Sequence, residues 1–208
     1  MQITKTECVY RAMGGNRCWL AMQERTFIDD TGKEHKYFFV TRGDKVTPPD
    51  EKKPDAVVII AFSEEGDKML LTKEYRLPID RYEIGSAAGL IDAKDYEHAK
   101  SVEEAAINAA IREVHEETGL GFIPVEVSPD NMYCTAGMSD ESVCMVIGKV
   151  RGTPSKEFLE IHEDITAKMM GRDEIIDLMS QKGVAFSKHV WPFMWMVKQW
   201  GFPKLGQQ

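Results

Sequence analysis

Cysteine is scarce in this chain: four among 208 residues, Cys8, Cys18, Cys134 and Cys144. They show no Cys-x-x-Cys spacing and no paired histidine, so neither a disulfide framework nor a structural zinc site is expected. They read as reduced thiols of a cytoplasmic protein. Long apolar runs are missing as well. No stretch approaches the ~20 residues a membrane span needs, and the opening Met1 to Glu7 carries no apolar leader core. Dense Lys/Arg runs are absent and the formal net charge is −8. That argues against nucleic-acid polymers and membranes as partners. There is no internal repeat and no low-complexity tract. What remains is a globular chain long enough for a real core, as one domain with a small appendage.

Residues 1–50 read as that appendage, a small β subdomain. Trp19 to Ile28 alternates, Lys36 to Thr41 is aromatic and β-branched, and Asp29-Asp30-Thr31-Gly32-Lys33 between them signals a turn. The pair predicts a hairpin. The Pro-rich connector Thr47 to Pro54 closes the subdomain, and residues 51–208 form the main domain. There, Ala56 to Phe62 is a continuous apolar run that suits a buried central strand, with Lys68 to Glu74 as its partner. Gly121 to Val127 and Ser142 to Val150 read as strands flanking an Asn131–Glu141 loop. Arg172 to Gln181 and Ser187 to Trp200 read as amphipathic helices. Alternating strands and helices of this kind predict an α/β fold, an α/β/α sandwich around a mixed sheet with an N-terminal hairpin unit.

The strongest local signal is a helix over Val102 to Thr118. Ser101 is a good N-cap, Glu104 completes a capping box, and Gly119 is the expected glycine past the end. Its core stripe is expected at Ile107, Ala110, Ile111 and Val114, with a small-residue strip of Val102, Ala106 and Ala109 beside it. Glu113, Glu116 and Glu117 stand at i, i+3 and i+4, on one face in neighbouring turns. As a folding element this is unfavourable. Glu113 and Glu117 repel at i, i+4, and the helix C-terminus favours cations. A hard divalent cation, Mg²⁺ or Mn²⁺, turns the same penalties into ligands. The competing reading is a solvated acidic helix end.

Glu104, seven residues, Arg112-Glu113-Val114, then Glu116-Glu117, Gly119 and Leu120 resemble the Nudix box. The glycine that begins the box is not in register, since position 98 is His; Gly89 takes its place, with about nine residues added before Ser101. Surface loops accept such additions at low entropic cost. The resemblance implies a metal-dependent pyrophosphatase. Glu113, Glu116, Glu117 and the main-chain carbonyl of Ala88 would be its metal ligands, and Arg112 would hold a box glutamate in place.

A base must take a proton from the attacking water. The acidic stretch Glu157 to Ile165 offers Glu163 first and Glu160 second, with His162 open as a group that titrates near neutrality. The hairpin ending at Arg42, the Lys73-Glu74-Tyr75-Arg76 run and the Thr135 to Glu141 segment resemble the ADP-ribose pyrophosphatase branch. In that branch the β unit swaps across a homodimer and helps build the adenosine pocket. Arg42, Arg76 and Glu141 are then substrate-binding candidates, although both arginines also read as surface cations. Departures stand at Ala87, Gly85 and Ala136. They leave open ADP-ribose itself, another sugar nucleotide, a dinucleotide, or a Nudix-fold regulator that binds nucleotide without turnover.

Overall fold

The computed structural model describes residues 1–128 and 131–206. In chain order the elements are β1 (Gln2–Gly14), β2 (Arg17–Ile28), β3 (Glu34–Arg42), β4 (Ala56–Ser63), β5 (Met69–Arg76), a single 3-10 turn (Leu77–Ile79), β6 (Arg81–Gly85), β7 (Ala88–Leu90), α1 (Ala93–Tyr96), α2 (Val102–Thr118), β8 (Gly121–Val127), β9 (Met132–Tyr133), β10 (Ser142–Arg151), β11 (Ile165–Met170), α3 (Arg172–Ser180), β12 (Ala185–Phe186) and α4 (Trp191–Trp200). By compactness the described residues fall into two units. One comprises 1–55 with 131–143, the other 56–128 with 144–206.

The first unit is an antiparallel sheet in the order β1-β2-β3. The Asp29 carboxylate caps the β2–β3 turn, accepting from the Thr31 and Lys33 amides at 2.9 Å. Residues 131–143 lie along β3: Val40 donates to the Met138 carbonyl at 2.8 Å, and Asp140 donates back to Val40 at 3.2 Å. Strand β1 was not anticipated. Its thirteen residues are almost all exposed, so it has no buried alternation for a reader of sequence to find.

The second unit is built on a sheet in the order β12-β6-β5-β4-β10-β8, with β11 beside β5 and β7 beside β4. It is mixed: β12 runs parallel to β6, while β5 is antiparallel to both β6 and β11. Alternation along β4 divides two cores. Val57, Ile59 and Ala61 pack with Ala106, Ala109, Ala110 and Val114 of α2. Ile60 and Phe62 pack with Ile175 of α3 and Met194 and Val197 of α4. Helices therefore cover both faces, giving the α/β/α layering. No helix among the described residues is long and apolar enough to cross a membrane.

Two details depart from expectation. Ala110 and Val114 of the expected stripe are buried on α2, but they are joined by Ala105, Ala106 and Ala109, whereas Ile111 is exposed. Small residues let the helix lie close on the sheet, and that closeness outweighs the larger area the isoleucines offer. Helix α4 begins at Trp191 rather than Ser187, with a proline in its first turn, where proline's fixed φ and missing N–H are tolerated.

Candidate active site

The site is assembled at the junction of β7 and the C-terminal half of α2. The helix is held at both ends. Ser101 Oγ accepts from the Glu104 amide at 3.1 Å, and Gly119, at φ 72°, donates to the His115 carbonyl at 2.9 Å. Glu104 returns its carboxylate to the Lys100 amide at 2.7 Å, one residue before the cap. Glu104 is thus engaged in starting the helix. On the inward face, Glu113 and Glu117 are buried, while the Glu116 side chain is 37% exposed.

Strand β7 brings its backbone against these carboxylates. The Ala88 amide faces Glu117 Oε2 at 3.4 Å. Gly89 is where the chain comes closest, for a Cβ built there would lie 2.0 Å from Glu113 Cδ. Any side chain there would have to displace the Glu113 carboxylate or the strand. Arg112 organises the outer side. Its Nη1 donates to Glu113 Oε1 at 2.6 Å and to Glu116 Oε2 at 2.9 Å. The remaining donors are taken by Asp95 and the Leu90 carbonyl.

Burial disfavours the charged form of a carboxylate, and like charges add to it. Burial pushes the Glu113 carboxyl up, against the pull of Arg112. Glu117 is pushed well above the ordinary range by burial first, then by Glu113, Glu74 and Glu163. Burial raises Glu74 as well, with Glu83 and Glu163 adding to it and Arg76 opposing. Glu74 and Glu163 thus lie near enough to repel the helix glutamates.

Strand pairing explains how Glu163 arrives there. Ile165 of β11 lies opposite Glu74 of β5, and the Asp164 carbonyl accepts from the Tyr75 amide at 3.2 Å. Glu163 is therefore the residue just before the end of that ladder. Glu160 is turned elsewhere, its carboxylate 3.3 Å from exposed His162. His115 points off the carboxylate face and stacks on Phe158 with centroids 4.2 Å apart. Arg76 is held by Glu74 at 2.8 Å and by Glu83 at 3.5 Å.

Sequence comparison agrees with this geometry. A model of the NUDIX domain matches residues 52–189, two thirds of the chain. The chain belongs to the Nudix family. A Caenorhabditis elegans protein assigned as nudix hydrolase 2 is 32% identical over 158 residues, 73% of this chain and 66% of its own length. The ADP-ribose pyrophosphatase of Saccharomyces cerevisiae is 28% identical over 136 residues, 64% of this chain and 53% of its own length. The chain therefore spans between about half and two thirds of these curated relatives. A crystal structure of an ADP compounds hydrolase superposes with a TM-score of 0.61 at 17% identity, covering 96% of this chain and 92% of that one. At that identity it speaks for the fold.

Nudix proteins generally use divalent cations, and the donor chemistry here suits one. The Glu113, Glu116 and Glu117 carboxylates offer hard oxygen donors, Glu113 and Glu116 already share one cationic nitrogen, and Gly89 leaves room for the Glu113 carboxylate. Among the described residues, no three His, Cys, Asp or Glu side chains converge tightly enough to hold a metal ion without adjustment.

The first unit of this Nudix protein contributes a separate feature. Arg42 and Glu141 pair there, with Nε 2.6 Å from Glu141 Oε1. A cavity of about 270 Å³ is lined by residues that include Arg25, Tyr37, Phe39, Tyr133 and Asp140. Arg25 lies over the Phe39 ring at 4.7 Å. Arg25 Nε and Asp140 Oδ1 are buried and lack a hydrogen-bond partner among the described residues.

Two site residues escaped the sequence reading. Glu74 sat unremarked beside Arg76, and only the unanticipated β11 places Glu163 opposite its strand. Asp95 sat in the added segment, which folds into α1 and carries its carboxylate to Arg112.

Proposed function

We propose that this protein hydrolyses the pyrophosphate bond of a nucleoside diphosphate sugar, ADP-ribose first, giving AMP and ribose 5-phosphate. The observation that carries this reading is the packing of Gly89 under the Glu113 carboxylate beside buried Glu117. It preserves a charged cluster whose folding cost is otherwise unrewarded. Glu113, Glu116, Glu117 and the Ala88 carbonyl would hold Mg²⁺ or Mn²⁺. Such a cation supplies charge neutralisation at the phosphate oxygens and acidifies water.

The remaining chemistry falls to the chain's own groups. Glu163 accepts the proton of the attacking water; its charge already reaches Glu74, Glu113 and Glu117, which supports it over Glu160. Arg112 keeps Glu113 and Glu116 oriented. Arg76 offers a planar donor set for phosphate oxygens, with Glu74 and Glu83 holding its geometry. In the first unit, Arg42 and Glu141 are the substrate-binding residues, and the aromatic cavity with its unsatisfied Arg25 and Asp140 atoms suits a planar base. The name of the yeast relative supports the adenine nucleotide. A homodimer joined through residues 1–50, acting in the cytoplasm on a small nucleotide, completes the reading.

The test is hydrolysis of ADP-ribose, UDP- and GDP-sugars, NADH and nucleoside triphosphates, each with Mg²⁺ and with EDTA. Metal-dependent AMP release from ADP-ribose is expected. Cleavage of another member moves the substrate. Saturable nucleotide binding with no product would replace the enzyme by a non-catalytic Nudix binder.

A further inference from the structure

The residues added between Gly89 and Ser101 reach the carboxylate site most closely through Asp95, with Lys94 3.9 Å from Glu116 and Asp92 4.0 Å from Arg112. Helix α1 is a single turn, and its Asp95 is 5% exposed. Three sets of bonds fix it. Asp95 Oδ2 accepts from the Asp92 amide at 2.8 Å, and its main-chain carbonyl accepts from Asn108 Nδ2 of α2 at 3.1 Å. Its carboxylate holds Arg112 in a fork, Oδ1 at 3.2 Å from Nε and Oδ2 at 2.9 Å from Nη2.

A guanidinium has five N–H donors in one plane. Here Nε–H goes to Asp95, Nη2 serves Asp95 and the Leu90 carbonyl, and Nη1 serves Glu113 and Glu116. All five are engaged. Fixing Nε and Nη2 fixes the plane, and the plane decides where Nη1 points. Glu104, the glutamate that opens the helix motif, is unavailable for this because it caps the Lys100 amide.

We propose that Asp95 is a positioning residue of the hydrolytic site: by fixing the plane of Arg112 it sets the carboxylates of Glu113 and Glu116, so that the added segment is part of the cation site. This rests on the cation-binding reading given above.

The experiment compares wild type, Asp95→Asn and Asn108→Ala. Asp95→Asn keeps an acceptor for the Asp92 amide but loses the charged fork. Asn108→Ala loosens α1 on α2 without touching the guanidinium. Mn²⁺ affinity of the substrate-free protein is read by electron paramagnetic resonance titration, beside melting temperature, kcat and KM. Asp95→Asn is expected to weaken Mn²⁺ binding 10- to 100-fold, the range typical of an oriented ligand losing its support. Its activity should recover as metal is raised, with KM at saturating metal unchanged. Asn108→Ala should lower the melting temperature while leaving Mn²⁺ affinity within about twofold, against that same range. Wild-type Mn²⁺ affinity in Asp95→Asn overturns the proposal, as does equal weakening by Asn108→Ala, which would make the effect one of packing. Should Asp95→Asn not fold, Arg112→Lys keeps the charge but cannot span Asp95 and both glutamates. It should lose Mn²⁺ affinity equally, and unchanged affinity again overturns the proposal. Absence of Mn²⁺ binding by the wild type overturns the cation site itself, a failure distinct from the others.

Discussion

The Glu113 carboxylate fills the space that a side chain at Gly89 would take: its carboxyl carbon lies 2.0 Å from where a Cβ at position 89 would stand. The carboxylate thus lies against backbone on one side while Arg112 Nη1 donates to it at 2.6 Å. Gly89→Ala must push Glu113 aside or move β7 off the helix. Activity is expected to fall at least about 100-fold, the scale of an ångström-sized misplacement in a catalytic constellation. Circular dichroism should show the helix content retained. An alanine variant of near wild-type kcat/KM would mean that the Glu113 carboxylate need not lie there.

Glu117 is costly to the metal-free fold, since burial and three neighbouring glutamates oppose its charge. Glu117→Gln is expected to raise the melting temperature in EDTA, by about 2–4 °C for each kcal/mol of repulsion removed, while abolishing most turnover. A lower melting temperature in EDTA would show that the carboxylate is compensated in the free protein.

The same carboxyls set a pH dependence. In the folded protein Glu74, Glu113 and Glu117 lie above their ordinary values, so the native state binds protons more tightly than the unfolded chain. Unfolding then releases protons, and stability falls as pH rises from about 4.3, the ordinary glutamate value, through the raised folded values. Melting temperatures in EDTA should therefore drop between weakly acidic and neutral pH, more steeply in wild type than in Glu117→Gln. Millimolar Mg²⁺ should flatten the difference by favouring the charged native form. Parallel curves for the two proteins would contradict the burial of this charge.

The two candidate bases separate cleanly. Glu163→Gln should lower kcat by about 10²- to 10⁴-fold, the range for a lost general base. Glu160→Gln, whose side chain pairs with exposed His162, should stay within a few-fold. The reverse order, read from kcat across pH, would transfer the role to Glu160.

Capping offers a check on the scaffold. Ser101→Ala removes the acceptor for the Glu104 amide and should cost about 1 kcal/mol. Thermal unfolding at saturating Mg²⁺ reads this loss, with kcat little changed.

Helix α2 was legible from end to end because local chemistry writes both of its boundaries, Ser101 at the start and Gly119 at the finish. Strand β4 was legible as an apolar run. Other parts were decided by tertiary context. Of the expected stripe Ile107, Ala110, Ile111 and Val114, the sheet buried Ala110 and Val114 but left Ile111 exposed in favour of Ala105, Ala106 and Ala109, because the approach of helix to sheet is not encoded in any single residue's hydrophobicity. Strand β11, Ile165–Met170, has too mixed a pattern to announce itself, and without its pairing of Ile165 with Glu74 the arrival of Glu163 beside β5 could not be read. Asp95 lay in an added loop expected near the site, but its bond to Arg112 could not be foreseen. Its partner Arg112 is seventeen residues away, beyond the reach of helical periodicity.

The bonds of Arg112 also bear on how the protein comes to be folded. Its acceptors lie at sequence separations of 1, 4, 17 and 22 residues, so closing them costs little chain entropy. The long β pairings are far more distant: Ile165 must find Glu74 across the whole of this segment. Contacts of short separation close sooner and favour rapid folding. The stretch from Leu90 to Glu116 is thus suited to take shape as a local unit early, onto which later strands dock. Such an order would set its acidic face before the distant ladder delivers Glu163.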